Sequence, residues 1–144
     1  MFKMARVHVF QSEVEDKPGG TSAKLQALAK AGAHLEYVYS ERSATKPGIG
    51  ELLVAPRQVK AEMDIVKSIG FHEVQEPTVM RFEGDDHAGM GSRVTAEWES
   101  AGINLHGLMM AVLNGKFVGY ATFDTAQDAN NAATILAELG AKSE

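Results

Sequence analysis

Displaced by 70 residues, the sequence meets itself: Val9 falls on Val79, Asp16 on Asp86, Gly19 on Gly89, Ser22 on Ser92, Ala31 on Ala101, Gly32 on Gly102 and Leu35 on Leu105. The matches sit where a chain must turn or must pack. Glycine and aspartate recur at backbone reversals, so the spacing predicts two copies of one supersecondary unit, residues 1–77 and 78–144. A unit of that length has too little interior to be more than marginally stable alone, so the two are expected to pack side by side.

Periodicity supplies the elements of each copy. Alternating Val7 and Val9 predict a strand over Ala5 to Gln11, followed by a polar turn that ends at Gly20. Leu25, Leu28, Ala29 and Gly32 share one helical stripe, and Gly32 ends that helix. A strand over Ala33 to Arg42, a turn at Lys46-Pro47-Gly48 and a strand over Gly50 to Ala55 come next. A helix from about Arg57 to Ile69 and a short strand, Phe71 to Gln75, close the first copy. The order is β-α-β-β-α-β, the ferredoxin-like plan, so the fold class is α+β with two such units.

The second copy repeats the order. It has a strand over Thr78 to Glu83, a helix with Val94 and Trp98, a strand over Ile103 to Leu113, a turn at Asn114-Gly115, a strand over Phe117 to Phe123 and a helix from Thr125 to Leu139. Only Ala141 to Glu144 remain afterwards, so its last strand is expected to be truncated or missing.

Composition narrows the chemistry. The chain has 144 residues and no cysteine, which excludes disulfides, thiolate metal ligands and a cysteine nucleophile. No stretch reaches the ~20 apolar residues of a membrane span, and the N-terminus lacks the apolar core of a signal peptide, so a soluble cytoplasmic protein is expected. The net charge of -5 lies entirely in residues 78–144, which carry 4 basic and 9 acidic residues. His8, His34, His72, His87 and His106 show no metal-ligand spacing, and no nucleophile elbow or phosphate-binding loop is present. No catalytic residues, no metal and no cofactor are expected.

The segment Asp16-Lys17-Pro18-Gly19-Gly20, between a strand and a helix, carries the distinctive chemistry. Unpaired N-H groups at a helix start favour a carboxylate or phosphate, and the two glycines permit close approach. Asp16 offers an acceptor for an ammonium group, so together the features suit a free α-amino acid. The same residues also read as an ordinary helix-start turn, with Asp16 or Thr21 as cap.

DKPGG, followed by Leu25, Leu28, Ala31-Gly32 and LEYVYS, resembles the signature of ACT domains, small ferredoxin-like regulatory modules that bind amino acids. DHAG followed by AGINL resembles it again, with alanine at position 88 in place of the family's proline. The resemblance implies two units sharing one continuous sheet, with ligand held at their interface. One loop, Asp16, Lys17, Pro18, Gly19 and Gly20, would face Ile103, Asn104 and Leu105. The other, Asp86, His87, Ala88 and Gly89, would face His34, Leu35 and Glu36. It further implies a free amino acid ligand and a regulated enzyme or transcription regulator as partner. A sheet covered by helices on one face leaves edges, and the incomplete sheet of the second copy an unpaired one, so a homodimer is expected. Residues and charge predict no catalysis, no nucleic acid and no membrane partner.

A rival reading is an RNA-binding RRM module, which shares the β-α-β-β-α-β order. Lys116 to Phe123, KFVGYATF, approaches the pattern whose exposed aromatics stack on bases. Against it, TVMRFE has no aromatic where a stacking ring is needed, and an acidic module gains nothing from neutralising phosphates.

Overall fold

A computed structural model describes residues 2–142. The elements in chain order are β1 (Lys3–Glu15), α1 (Gly20–Lys30), β2 (Leu35–Arg42), β3 (Ile49–Pro56), α2 (Val59–Ser68), β4 (His72–Asp85), α3 (Met90–Ser100), β5 (Leu105–Leu113), β6 (Lys116–Phe123) and α4 (Ala126–Lys142). They form two compact units, one of His8–Val74 and the other of the chain up to Val7 together with the chain from Gln75 onward.

In the unit His8–Val74 the strand order is β2-β3-β1-β4. Antiparallel register sets Phe10 opposite Val54 and Ser12 opposite Leu52. Alternation then turns Phe10, Val14, Leu52 and Val54 to one face, where they join Leu28 of α1 and Val66 of α2 in a buried core closed by Phe71. The start of α2 is held by Glu62, whose carboxylate accepts the N-H groups of His34 at 2.8 Å and Gln58 at 3.1 Å.

In the other unit the order is β1-β4-β6-β5. Phe82, Phe117, Ala121 and Phe123 point to the helices and surround Trp98 of α3, with Ala129, Ala132 and Leu136 of α4. Trp98 lies edge-on to Phe82 and Phe123, with centroids 5.5 and 5.3 Å away, and its indole N-H donates to the Ala132 carbonyl at 3.1 Å. Asn114 and Gly115 both take positive φ, 53° and 74°, as a tight β5–β6 hairpin turn requires.

The expected absence of a last strand in the second copy is observed among the described residues, since α4 is helical through Lys142; 143–144 lie outside them. Its place in the strand order is taken by the beginning of β1. Phe2 and Met4 pack on the core of this unit, and the Phe2 ring lies 6.2 Å from that of Phe117. The sequence reading begins its first unit at residue 1. In the folded chain β1 runs for 13 residues, and its first part groups with the residues after Gln75. The two strands expected at Phe71 to Gln75 and Thr78 to Glu83 are one continuous strand, because Pro77 removes a donor but is compatible with extended backbone.

Candidate ligand-binding loops

Equivalent backbone bonds recur at positions 70 residues apart. Gly20 N-H donates to Lys17 O at 3.1 Å, and Met90 N-H to His87 O at 3.2 Å. Ala23 N-H meets Gly19 O, and Arg93 N-H meets Gly89 O. Ala33 N-H meets Leu28 O, and Ile103 N-H meets Trp98 O. A strand irregularity between Leu35 and Tyr37 recurs between Leu105 and Gly107.

Gly19 and Gly89 precede α1 and α3 in the left-handed region, with φ of 89° and 83°, which few side chains tolerate. Neither helix start receives a side-chain hydrogen bond, and neither has an acidic residue in its first turn. The other two helices differ. Glu62 lies in the first turn of α2 and accepts the N-H of Gln58 just before it, while at α4 Thr125 Oγ1 accepts Asp128 N-H at 3.1 Å and Asp128 lies in the first turn. The open helix starts are therefore those that follow the two loops.

Other expected roles are already occupied. Asp16 Oδ2 accepts a hydrogen bond from Arg42 Nε at 2.6 Å, which engages one of its two carboxylate oxygens, and the left-handed Gly19 rather than Asp16 stands at the cap position. Lys17 pairs with Glu15, and their hydrogen bond raises the lysine's pKa and lowers that of the glutamate. Pro18 is exposed. Gly20 is glycine for a local reason, since a Cβ there would sit 2.1 Å from the Glu15 carbonyl oxygen.

Within the same unit His34 ties its backbone to α2 through Glu62 at its N-H and to the β3–α2 connection through Arg57 N-H at its carbonyl, and Leu35 packs on the core. In the other unit Asp86 donates its N-H to Gly115 O at 2.9 Å, Asn104 is exposed and Leu105 packs on its own core. Two residues of β2 that the sequence pattern does not mark as site residues complete the first loop. Arg42 and Ser40 lie on the helix side of β2, where Ser40 Oγ is 3.3 Å from Thr21 Oγ1. Strand alternation places 38, 40 and 42 on the face that carries Leu52 and Val54, a signal available once the register is known. Beside the loop an open groove of about 620 Å³ is lined by Lys17, Gly19, Thr21, Ser22, Leu25 and Gln26.

The aromatics of β6 are divided by the sheet. Phe117 and Phe123 are 2% and 0% exposed, packed toward α3 and α4, so neither ring is available to stack on a base; Tyr120 lies on the opposite face. Among the described residues no group of three His, Asp or Glu is placed to hold a metal ion, and no helix is long and apolar enough to cross a membrane.

No family model and no curated protein sequence matches the chain. Solved structures do. Protein BT0572 from Bacteroides thetaiotaomicron matches with a TM-score of 0.74 and 14% identity, over 95% of this chain and 90% of that one. The regulatory subunit of aspartate kinase from Thermus thermophilus matches with a TM-score of 0.59 and 14% identity, over 95% of both chains. Aspartokinase alpha and beta subunits match with a TM-score of 0.61 and 18% identity, again over 95% of both. At these identities the likeness is one of fold. The chain has an ACT-type fold, α+β with ferredoxin-like units.

Proposed function

We propose that the protein is a regulatory module, without catalysis of its own, that binds a free α-amino acid at its strand-to-helix loops, with Asp16 to Gly20 as the first. The reading rests on the contrast between helix starts, since α1 and α3 alone lack both a side-chain cap and an acidic first turn. A ligand carboxylate there meets free N-H donors and the positive end of a helix dipole. The fold shared with a regulatory subunit of aspartate kinase supports a regulatory role, with an enzyme as the regulated partner.

Calorimetry with the twenty amino acids tests this, and Ser22→Asp makes the test specific. Ser22 is exposed in the first turn of α1. A carboxylate placed there should stabilise the helix by about 0.3 to 1 kcal/mol, while repelling a ligand carboxylate. Affinity should fall at least about tenfold, a loss of 1.4 kcal/mol, as the melting temperature holds or rises. Undiminished binding in Ser22→Asp would remove α1 from the site.

Self-association into a homodimer belongs to the same proposal. β5 ends its strand order and carries no Asp, Glu, Lys or Arg, and Leu108, Met109, Val112 and Leu113 are 42 to 73% exposed on it. An uncharged apolar edge is a template for another strand, whereas β2 ends in Glu41-Arg42. Light scattering at tens of micromolar should give twice the chain mass, and Val112→Lys should return it to one. A wild-type monomer under those conditions contradicts the proposal.

A further inference from the structure

The unit built around Trp98 contains a cavity of about 550 Å³, within the range of small-molecule sites. Register explains how it is assembled. Asp85 stands opposite Lys116, which stands opposite Leu113, and Glu83 stands opposite Val118. Because Phe82 and Phe117 point to the helices, alternation turns Glu83, Asp85, Lys116, Val118 and Leu113 to the other face of the sheet. Lys3 lies between Phe2 and Met4, both packed on the core, and its side chain joins the lining of the cavity.

Leu113 and Val118 supply an apolar wall, with charges of both signs around it. Lys116 is held by Asp85. Lys3 has no ion pair among the described residues, and the Glu83 carboxylate meets Arg81 only at 3.7 Å. Among the described residues the site therefore offers one free ammonium, a carboxylate with spare acceptor capacity and an apolar wall.

The geometry points to a second binding site, for a free amino acid with an apolar side chain, its carboxylate on Lys3, its ammonium toward Glu83 and its side chain against Leu113 and Val118. The ligand class rests on the amino-acid reading above; the location does not depend on the α1 loop. A charge-assisted bond supplies the hold on the carboxylate, and an ammonium on Glu83 distinguishes the zwitterion from a simple acid.

The experiment titrates L-leucine, and separately 4-methylpentanoate, into the wild type, Lys3→Met, Lys3→Arg, Leu113→Ser and Ser22→Asp. Lys3 and Leu113 are exposed, so these variants fold, and melting temperatures verify it. Lys3→Met should lose one binding event, or at least about tenfold in its affinity, with Lys3→Arg retaining it and Leu113→Ser weakening it. Ser22→Asp should leave that event intact. Leucine binding untouched by Lys3→Met overturns the cavity while leaving the loop reading standing. Equal affinity for 4-methylpentanoate overturns the zwitterion assignment. A wild type that binds no amino acid removes both readings.

Discussion

Trp98→Ala should lower stability by about 3 to 5 kcal/mol, the cost of removing a large aromatic from a packed interior. For a chain of this length that corresponds to a fall in melting temperature of roughly 10 °C or more. The size follows from the site. Trp98 is 1% exposed, makes two edge-on ring contacts and donates its indole N-H to the Ala132 carbonyl of α4. Truncation removes the buried area and leaves a cavity between α3, α4 and β6. Trp98→Phe restores most of the volume without the donor and should cost less, about 1 to 2 kcal/mol. As the only tryptophan in the chain, Trp98 also reports its own environment. Urea unfolding of the wild type should shift its emission to the red as the buried indole enters water. A loss below about 1 kcal/mol in Trp98→Ala, or emission already characteristic of exposed indole in the native protein, would contradict this core.

Gly20→Ala carries the second large effect, and its sign opposes helix propensity. Alanine is preferred over glycine inside a helix by about 1 kcal/mol, and Gly20 is the first residue of α1. A Cβ there would nevertheless lie 2.1 Å from the Glu15 carbonyl oxygen. The obstacle is backbone held in place by Lys17 N-H at 2.9 Å, so it cannot swing aside as a side chain would. The net expectation is a loss of about 1 to 3 kcal/mol, read from denaturant midpoints. Gly19→Ala meets no atom within 4 Å and should cost about 1 to 2 kcal/mol through its left-handed backbone alone. Should Gly20→Ala prove neutral or stabilising, the tight closure of this loop is wrong. Met90 stands at the position 70 residues on from Gly20. It occupies the equivalent position in the second copy, where no bond from His87 N-H to the Asp85 carbonyl is present among the described residues.

This difference bears on the ligand reading. The sequence presents Gly19 and Gly20 as room for a ligand, but both have conformational reasons to be glycine with no ligand at all. Asp16, read as an acceptor for an ammonium, is engaged by Arg42. What remains in favour of the loops is the pair of uncapped helix starts. Ser22→Asp is therefore a better probe than replacement of Asp16 or either glycine, since it separates stability from affinity by opposite signs.

The order of strands and helices, the repeat spacing and the turns at Gly32, Gly102 and Asn114-Gly115 were legible in the sequence. They depend on local periodicity and on backbone conformations that few residues adopt. Tertiary structure decided what depends on residues distant in sequence. It assigned the beginning of β1 to the unit that lacks a final strand, because the missing position in that unit's strand order is open to any extended segment that carries apolar residues such as Phe2 and Met4 on the correct side. It joined Asp16 to Arg42, 26 residues away. It assembled the charged cavity from Lys3, Glu83 and Lys116, since cross-strand register, which no local pattern specifies, determines which side chains share a face.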